Sequence, residues 1–159
     1  MKLYIKEKAI SVMDKFYVRN EKSDKKYEIR RKFEPAIGLK LHILDMDGNE
    51  LGYIKEKNIS LRPKFRIFTG GEHTATITKK VVSMRPKYEV EELGWKIKGN
   101  LIARDYKIVG KDGEVMNIHK GLLKLSDTFV LEFSDKKHVV EALAVVVAID
   151  YILDEKERD

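Results

Sequence analysis

The stretch Val139–Leu153 reads VVEALAVVVAIDYIL, in which Glu141 and Asp150 are the only charged residues. Its alanines and leucines favour a helix, and no glycine or proline interrupts it. A surface helix carries a polar stripe, whereas a helix that is apolar on all sides must be buried on all sides. We therefore predict a central, buried, hydrophobic helix over about residues 135–154.

Two other structures are compatible with so apolar a stretch. A membrane span requires roughly 20 apolar residues, but the uncharged run Ala142–Ile149 is much shorter. A β-strand is favoured by the three valines Val145–Val147, but the neighbouring alanines and the absence of turn signals favour a helix. We expect Ser134 or Asp135 to be the N-cap of this helix.

Upstream of the helix the hydrophobic period changes to two, which is typical of strands with one buried and one exposed face. In residues 59–67 the apolar positions are Ile59, Leu61, Phe65 and Ile67, with polar residues between them. Similar alternation continues along the chain. We predict roughly ten to twelve short strands before residue 133.

A segment of 15 residues recurs in this β-rich region. Tyr4–Val18 returns as Tyr53–Ile67 with nine identical positions, and a third copy, Thr76–Val90, shares six residues with the second. A fainter fourth copy is Asn117–Leu131. Repetition indicates that the chain builds one small β-unit several times. We interpret each copy as two strands and a turn, which falls at Arg62–Pro63 in the second copy because proline cannot donate to a β-ladder.

Turn signals divide the rest of the region into hairpins. Asp-Gly supplies the positive φ angles that a tight hairpin turn needs. Two-residue signals predict turns at Asp47-Gly48, Gly70-Gly71, Gly99-Asn100 and Asp112-Gly113. At the third of these we expect Trp95–Lys98 and Leu101–Ala103 to be the flanking strands.

The apolar surface of the helix and the apolar faces of the strands can bury each other. One helix requires apolar contact around its whole circumference, and many strands each offer one apolar face. The simplest arrangement is an antiparallel sheet closed around the helix, which also removes exposed sheet edges. We therefore predict one mainly β (α+β) domain over residues 1–159, with a closed antiparallel β-barrel in residues 1–133 and the helix at its centre.

Composition limits the class of protein. With 159 residues, 43% hydrophobic and 36% charged, the chain is expected to be globular and not disordered. It has no cysteine, and residues 1–10 (MKLYIKEKAI) lack the apolar run of a signal peptide, so we expect a cytoplasmic protein. The net charge is +6 and the excess lies in the amino-terminal half, which favours an anionic partner such as a membrane surface.

No catalytic or metal-binding motif stands out. Metal-ligand spacing is absent among the four histidines, His42, His73, His119 and His138. Nucleophile-elbow, dinucleotide-loop and P-loop patterns are absent too, and Asp45 and Asp47 are interpreted as part of a hairpin turn. We expect no cofactor and no metal. Glu141 and Asp150 are predicted to lie near the two barrel mouths, each with a lysine or a backbone partner.

Basic side chains are the feature that points to a function. Arg62, Lys64 and Arg66 alternate on one predicted strand, and Arg85 and Lys87 hold matching positions in the next copy. On one outer face they would form a cradle for anionic headgroups. The candidate anion-binding residues are Arg62, Lys64, Arg66, Arg85, Lys87, Arg30 and Arg31, and Lys32, next in sequence, extends the set. The alternative is an ordinary solvated outer surface.

The strand patterns also resemble a known family. The pattern Ile-x-x-Lys-x-Ile-Ser occurs at Ile5–Ser11 and Ile54–Ser60, together with Glu34–Gly38 (EPAIG), the Asp47-Gly48 turn and the terminal Val/Ala-rich helix. These features resemble the LURP-one-related family, which is grouped with tubby C-terminal domains and phospholipid scramblases. The resemblance covers nearly the whole chain and implies a twelve-stranded antiparallel barrel around a central C-terminal helix. Tubby domains bind phosphoinositides through basic side chains outside the barrel, and no such position is carried over to this sequence.

Three classes of function fit these observations. The first is a non-enzymatic binding or regulatory module that docks on anionic phospholipid or on a protein partner. The second is an enzyme with an unrecognised site at a barrel mouth, although the helix should fill the lumen. The third, nucleic-acid binding, is disfavoured because Phe65, Phe68 and Tyr88 are interpreted as strand core and not as an exposed stacking platform. We expect the first, without a transmembrane span or a nucleic-acid partner.

Overall fold

Twelve antiparallel strands form a closed barrel in the computed structural model of the chain, which describes residues 1–12, 14–35, 38–57, 64–82 and 85–158. The strands are β1 (Lys2–Lys6), β2 (Lys15–Arg19), β3 (Lys25–Glu34), β4 (Gly38–Leu44), β5 (Glu50–Lys57), β6 (Lys64–Thr69), β7 (Glu72–Val82), β8 (Arg85–Glu91), β9 (Trp95–Asn100), β10 (Asp105–Gly110), β11 (Gly113–Lys120) and β12 (Thr128–Phe133). The helices of the described part are α1 (Glu7–Val12), α2 (Val139–Arg158) and a short 3-10 helix (Leu123–Leu125).

The barrel closes through its first and last strands. Each strand pairs with its neighbour in sequence, and β1 pairs antiparallel with β12 over five residue pairs, from Lys2↔Glu132 to Lys6↔Thr128. Strands β1 and β2, which α1 connects, share the register pair Tyr4↔Arg19. The predicted closed antiparallel barrel of about twelve strands is confirmed.

Helix α2 runs through the barrel. The residues Ala142–Ile149 are all at most 1% exposed, so every side of this part of the helix is covered by the barrel wall. The predicted central, buried helix is therefore confirmed. Among the described helices, none combines the length and the hydropathy needed to cross a bilayer.

The start of α2 differs from the prediction. Neither Ser134 nor Asp135 is the N-cap, because the backbone N–H of Ala142 donates to the carbonyl of His138 at 3.0 Å and places the cap at that residue. Asp135 instead accepts a hydrogen bond from the backbone N–H of Lys137 at 2.8 Å. Its carboxylate thus forms a local turn where the chain passes from the barrel wall into the lumen.

The first repeated segment also differs from the prediction. It contains helix α1 between β1 and β2, so Ile10 lies in a helix and not in a strand. Ile10 is nevertheless only 1% exposed, because α1 contacts α2 across one end of the barrel. The prediction that Ile10 is a buried apolar residue is therefore confirmed, but the predicted strand conformation is wrong.

The second repeated segment is described on both sides of its predicted turn. Ile59, Leu61 and the Arg62–Pro63 turn lie outside the described residues. Phe65 and Ile67, which follow in β6, are 1% and 0% exposed, as the period of two predicts.

The hairpin between β9 and β10 has a different turn from the predicted one. Leu101–Ala103 belong to the turn and not to a strand, because the Asn100 side-chain oxygen accepts a hydrogen bond from the Ala103 N–H at 3.1 Å. Gly99 lies inside β9. A Cβ atom there would come within 2.6 Å of the Asp105 carbonyl oxygen, so glycine permits a close approach between strands.

Replacing Gly99 and Gly113 by alanine tests this packing with a matched pair. Their φ angles are +126° and +120°, so alanine meets a rarely populated backbone conformation at both, which costs about 1–3 kcal/mol. A Cβ at Gly113 meets nothing within 4 Å, whereas at Gly99 it meets backbone atoms of Asp105 and Tyr106. We expect Gly99→Ala to lower the free energy of unfolding by about 1–3 kcal/mol more than Gly113→Ala, measured by urea denaturation. Equal losses would contradict the close approach.

A buried ion pair links α2 to the β9–β10 turn. Arg104 Nε lies 2.9 Å from Asp150 Oδ1, and the two side chains are 14% and 9% exposed. Arg104 also donates from Nη1 to the carbonyl of Ile102 at 2.9 Å. Burial, together with the nearby Asp150 carboxylate, raises the pKa of Tyr106 well above its usual range, so this phenol stays protonated. Arg104 is thus one partner of Asp150, for which the sequence suggested a lysine or a backbone group.

Candidate anion-binding surface

The two ends of the barrel differ in charge. The connections β1–β2, β3–β4, β5–β6, β7–β8, β9–β10 and β11–β12 lie at one end, which we call the basic end. The other connections and the start of α2 lie at the acidic end. Strand β8 shows the gradient, since Arg85 and Lys87 lie toward the basic end and Glu89 and Glu91 toward the acidic end. Acidic residues in the turns of the acidic end are Glu21, Asp24, Asp45, Asp47, Glu92 and Asp112.

Four basic residues form a row across strands β3 to β6, near the basic end. The register places Lys32 opposite Lys40, and Lys40 opposite Lys55. Lys55 in turn lies opposite Arg66. Because neighbouring strands are about 4.8 Å apart, this cationic row (Lys32, Lys40, Lys55 and Arg66) extends about 14 Å across the outer wall. Lys64 lies next to it on β6, closer to the basic end.

In the described part of the chain, the cationic row has no acidic side chains beside it that would compensate its charge. Among the described residues, no carboxylate lies within ion-pair distance of its four side chains. Lys40 Nζ lies 4.2 Å from the centroid of the Tyr53 ring, which is a cation–π contact. Like charges directly opposite each other destabilise a sheet. A bound anion would relieve this repulsion.

A row of aromatic rings lies beside the cationic row. His42 on β4 faces Tyr53 on β5, which faces Phe68 on β6. The rings of Tyr53 and Phe68 stack with their centroids 4.6 Å apart and an interplanar angle of 12°. The ring of His73 follows, with its centroid 5.4 Å from that of Phe68. Cations and partly exposed aromatic rings therefore share one patch of the outer wall.

The position of Phe68 corrects the sequence-based assignment. Phe65 and Tyr88 are 1% and 3% exposed and belong to the core, as predicted. Phe68 was assigned to the core with them, but it lies on the outer face and is half-buried. Alternation explains the difference, because Phe65 and Ile67 point inward and the next residue must point outward.

The predicted candidates on β6 and β8 are only partly brought together. Lys64 and Arg66 lie on the outer face of β6, where both are partly exposed. Lys87 is exposed on β8, and strand β7 separates it from them. Arg85 begins β8, and its side chain is not described, whereas Arg62 lies outside the described residues.

The other predicted candidates, Arg30 and Arg31, point to opposite sides of β3. Arg30 lies on the outer wall with Nε 2.9 Å from Glu28 Oε2, so its charge is already compensated. Arg31 points into the lumen, where Nη2 donates to the Ile10 carbonyl at 2.6 Å. Its guanidinium lies 5.5 Å from the centroid of the Tyr151 ring. Arg31 is therefore separated from the outer basic residues.

The sequence points to Lys32 as an addition to the candidate residues, but not to Lys40 or Lys55. Lys32 lies two residues after Arg30 and shares its outer face. Lys40 and Lys55 flank the β4–β5 turn, but regular pairing from that turn would place Lys40 opposite Ile54. The shift in register between Ile43 and Leu44 brings the two lysines together.

Cavities in the described part of the chain lie apart from this row. One of about 330 Å³ at the acidic end is lined by Tyr27 and by Glu141 near the start of α2. The predicted lysine or backbone partner of Glu141 is not found among the described residues, and its Oε2 lies 3.9 Å from His138 Nδ1, which is too long for a hydrogen bond. A cleft of about 310 Å³ opens between β8 and β9, whose pairing is limited to Glu89↔Lys96 and Val90↔Trp95. Among the described residues, no cluster of His, Asp and Glu could hold a metal ion.

Comparisons with known proteins agree with this architecture. A family model described as LURP-one-related matches residues 1–150. The Bacillus subtilis (strain 168) protein YxjI, described as uncharacterized, is 27% identical over 159 residues, which cover 100% of this chain and 98% of YxjI. The X-ray structure of a protein from Arabidopsis thaliana has the same fold, with a TM-score of 0.64 and 15% identity over 95% of this chain and 91% of that chain. The chain therefore belongs to the LURP-one-related family.

Proposed function

We propose that this protein is a non-enzymatic binding module that docks its basic end on membranes containing anionic phospholipid. The observation that supports this function best is the cationic row, whose four charges lie directly opposite one another without acidic partners among the described residues. Such an arrangement opposes folding and is therefore expected to serve a ligand.

The shape of the site favours a surface over a small enclosed ligand. The cationic row lies on the outer wall of a barrel and not in a cavity, so several anions can be met at once. Each Lys or Arg near an anionic membrane contributes about 1 kcal/mol to binding.

A second candidate is single-stranded nucleic acid, and the partly exposed Tyr53–Phe68 pair supports it. Stacking platforms combine such rings with basic grooves. The two rings stack on each other, however, so each offers only one free face to a base. A convex wall also lacks the groove that tracks a strand. We therefore prefer the membrane.

Replacing Lys55 and Arg66 together by glutamine tests the proposed function. The loss of two charges should weaken binding to vesicles of phosphatidylcholine and phosphatidylserine about 30-fold, because each contributes about 1 kcal/mol. Flotation of the protein with vesicles measures the effect, which should shrink as salt is added. The variant should melt no lower than the unchanged protein, because it removes an opposed pair of like charges.

The control removes two lysines from the acidic end, Lys22→Gln with Lys111→Gln, which lie in the β2–β3 and β10–β11 turns. This control should bind vesicles like the unchanged protein. Equal flotation of all three proteins, or equal recovery on vesicles of phosphatidylcholine alone, would refute the membrane proposal. A gel shift with single-stranded RNA that disappears only in the Lys55/Arg66 variant would favour nucleic acid instead.

A further inference from the structure

The β11–β12 connection carries leucines that point into solvent. Leu122 and Leu123 are 83% and 92% exposed, and Leu125 is 42% exposed. We propose that this leucine loop (residues 121–127) enters the hydrocarbon boundary of the bilayer when the basic end docks. The inference rests on the proposed function and adds the part of the chain that penetrates the membrane.

The leucine loop is held in one shape by its own hydrogen bonds. The Gly121 N–H donates to the Thr128 carbonyl at 2.9 Å, and the Leu125 N–H donates to the Leu122 carbonyl at 3.0 Å. Lys6 Nζ lies 3.1 Å from Asp127 Oδ1, and this hydrogen bond holds the pKa of that carboxyl below its usual range. The leucines are therefore exposed on a loop with a defined backbone conformation.

The backbone at the tip of the loop is strained. Leu123 has a φ of +55°, which branched side chains rarely adopt, yet its side chain gains no burial in the protein. Strained residues that persist without a folding benefit are often found at functional sites. A bilayer would supply the missing burial, since removing a leucine side chain from water is strongly favourable.

Other exposed apolar side chains lie at the same end of the barrel. Phe33 at the end of β3 is 72% exposed, and Ile102 in the β9–β10 turn is 77% exposed. With the leucine loop, they place apolar groups at three connections around the rim of the basic end. At the acidic end, Met1 before β1 and Met46 in the β4–β5 turn are 47% and 46% exposed. Most of the large apolar side chains that are exposed in the described residues thus lie at the end that carries the cationic row.

This arrangement matches a flat bilayer better than a protein partner. Apolar groups at three separate connections can touch one plane together, whereas a protein groove takes neighbouring side chains of one element. The cationic row lies near the same end and suits anionic headgroups above the hydrocarbon. Helix α2 also ends at the basic end, and its last residues include several acidic ones. Attraction to anionic headgroups must therefore come from the basic residues of the barrel wall.

Replacing Leu122 by tryptophan tests penetration directly. Leu122 has an extended backbone (φ −106°), which accepts tryptophan, and the chain's single natural tryptophan, Trp95, is only 4% exposed. On phosphatidylcholine–phosphatidylserine vesicles, we expect Leu122→Trp emission to shift to the blue and to be quenched by brominated lipid. The matched control, Met46→Trp at the acidic end, should show neither effect. If brominated lipid quenches both variants equally, or quenches neither, the inference is overturned.

A second variant measures the contribution of the loop to binding. Leu122→Gln with Leu123→Asn keeps the charge, and asparagine tolerates the positive φ. We expect flotation to weaken at least about tenfold, as the loss of two leucine side chains predicts. Unchanged flotation, with no quenching at Leu122→Trp, would overturn the penetrating loop and leave the cationic row as the docking site. Quenching with equal binding to neutral vesicles would support penetration and refute the anionic preference.

Discussion

Val146→Asp is expected to abolish cooperative folding. Val146 is 1% exposed in the middle of α2, where the barrel wall surrounds the helix. A carboxylate there loses its water, and the several kcal/mol this costs is a large part of the 5–15 kcal/mol by which domains of this size are stable. Circular dichroism during heating should show no sharp transition for this variant.

The control for this experiment is Val109→Asp, the same change on the outer wall of β10. Val109 is only half-buried and lies between Lys96 on β9 and Glu114 on β11, so the new carboxylate meets one attraction and one repulsion. Its effect on stability should stay within about 0.5 kcal/mol. A Val146→Asp variant that melts like the Val109→Asp control would show that the helix is not enclosed.

Arg104→Met is expected to lower the free energy of unfolding by about 3 kcal/mol or more. The change removes the guanidinium that lies 2.9 Å from Asp150 in a largely buried site, and breaking one side of a buried pair typically costs about 3–5 kcal/mol. It also removes the hydrogen bond to the Ile102 carbonyl that fixes the β9–β10 turn. Urea denaturation of Arg104→Met measures the loss.

Replacing both partners should restore much of this stability. In Arg104→Met with Asp150→Leu, no charge remains to be buried, and apolar replacements of buried pairs are often neutral. The four proteins of the double-mutant cycle give the coupling energy, which we expect to be about 2 kcal/mol or more. Additive losses would mean that the two side chains do not interact, and the link between α2 and the turn would have to be abandoned.

The barrel and its helix were predictable because their signals are local. Alternation in segments such as residues 64–69 shows which side chains face inward, and the apolar stretch Ala142–Ile149 shows that a helix must be enclosed. A sheet closed around the helix is the simplest arrangement that satisfies both. These conclusions do not depend on which strands pair at which register.

The predicted secondary structure is wrong at short segments where tertiary contacts override local sequence signals. Gly99-Asn100 looks like a turn, but Gly99 lies in a strand because β10 approaches it closely. Ile10 looks like a strand residue, but it belongs to α1, which covers the end of the barrel against α2. In each case a distant element decides the conformation of a short segment.

The fold class, the enclosed helix and the side of the wall on which residues such as Lys64 and Arg66 lie all follow from local sequence patterns. Which basic residues are neighbours follows instead from how the strands pair. The cationic row depends on a one-residue shift between Ile43 and Leu44, and the apolar rim depends on which connections share an end. Side-chain alternation is a property of each strand alone, whereas register and strand order come from pairing between segments distant in sequence.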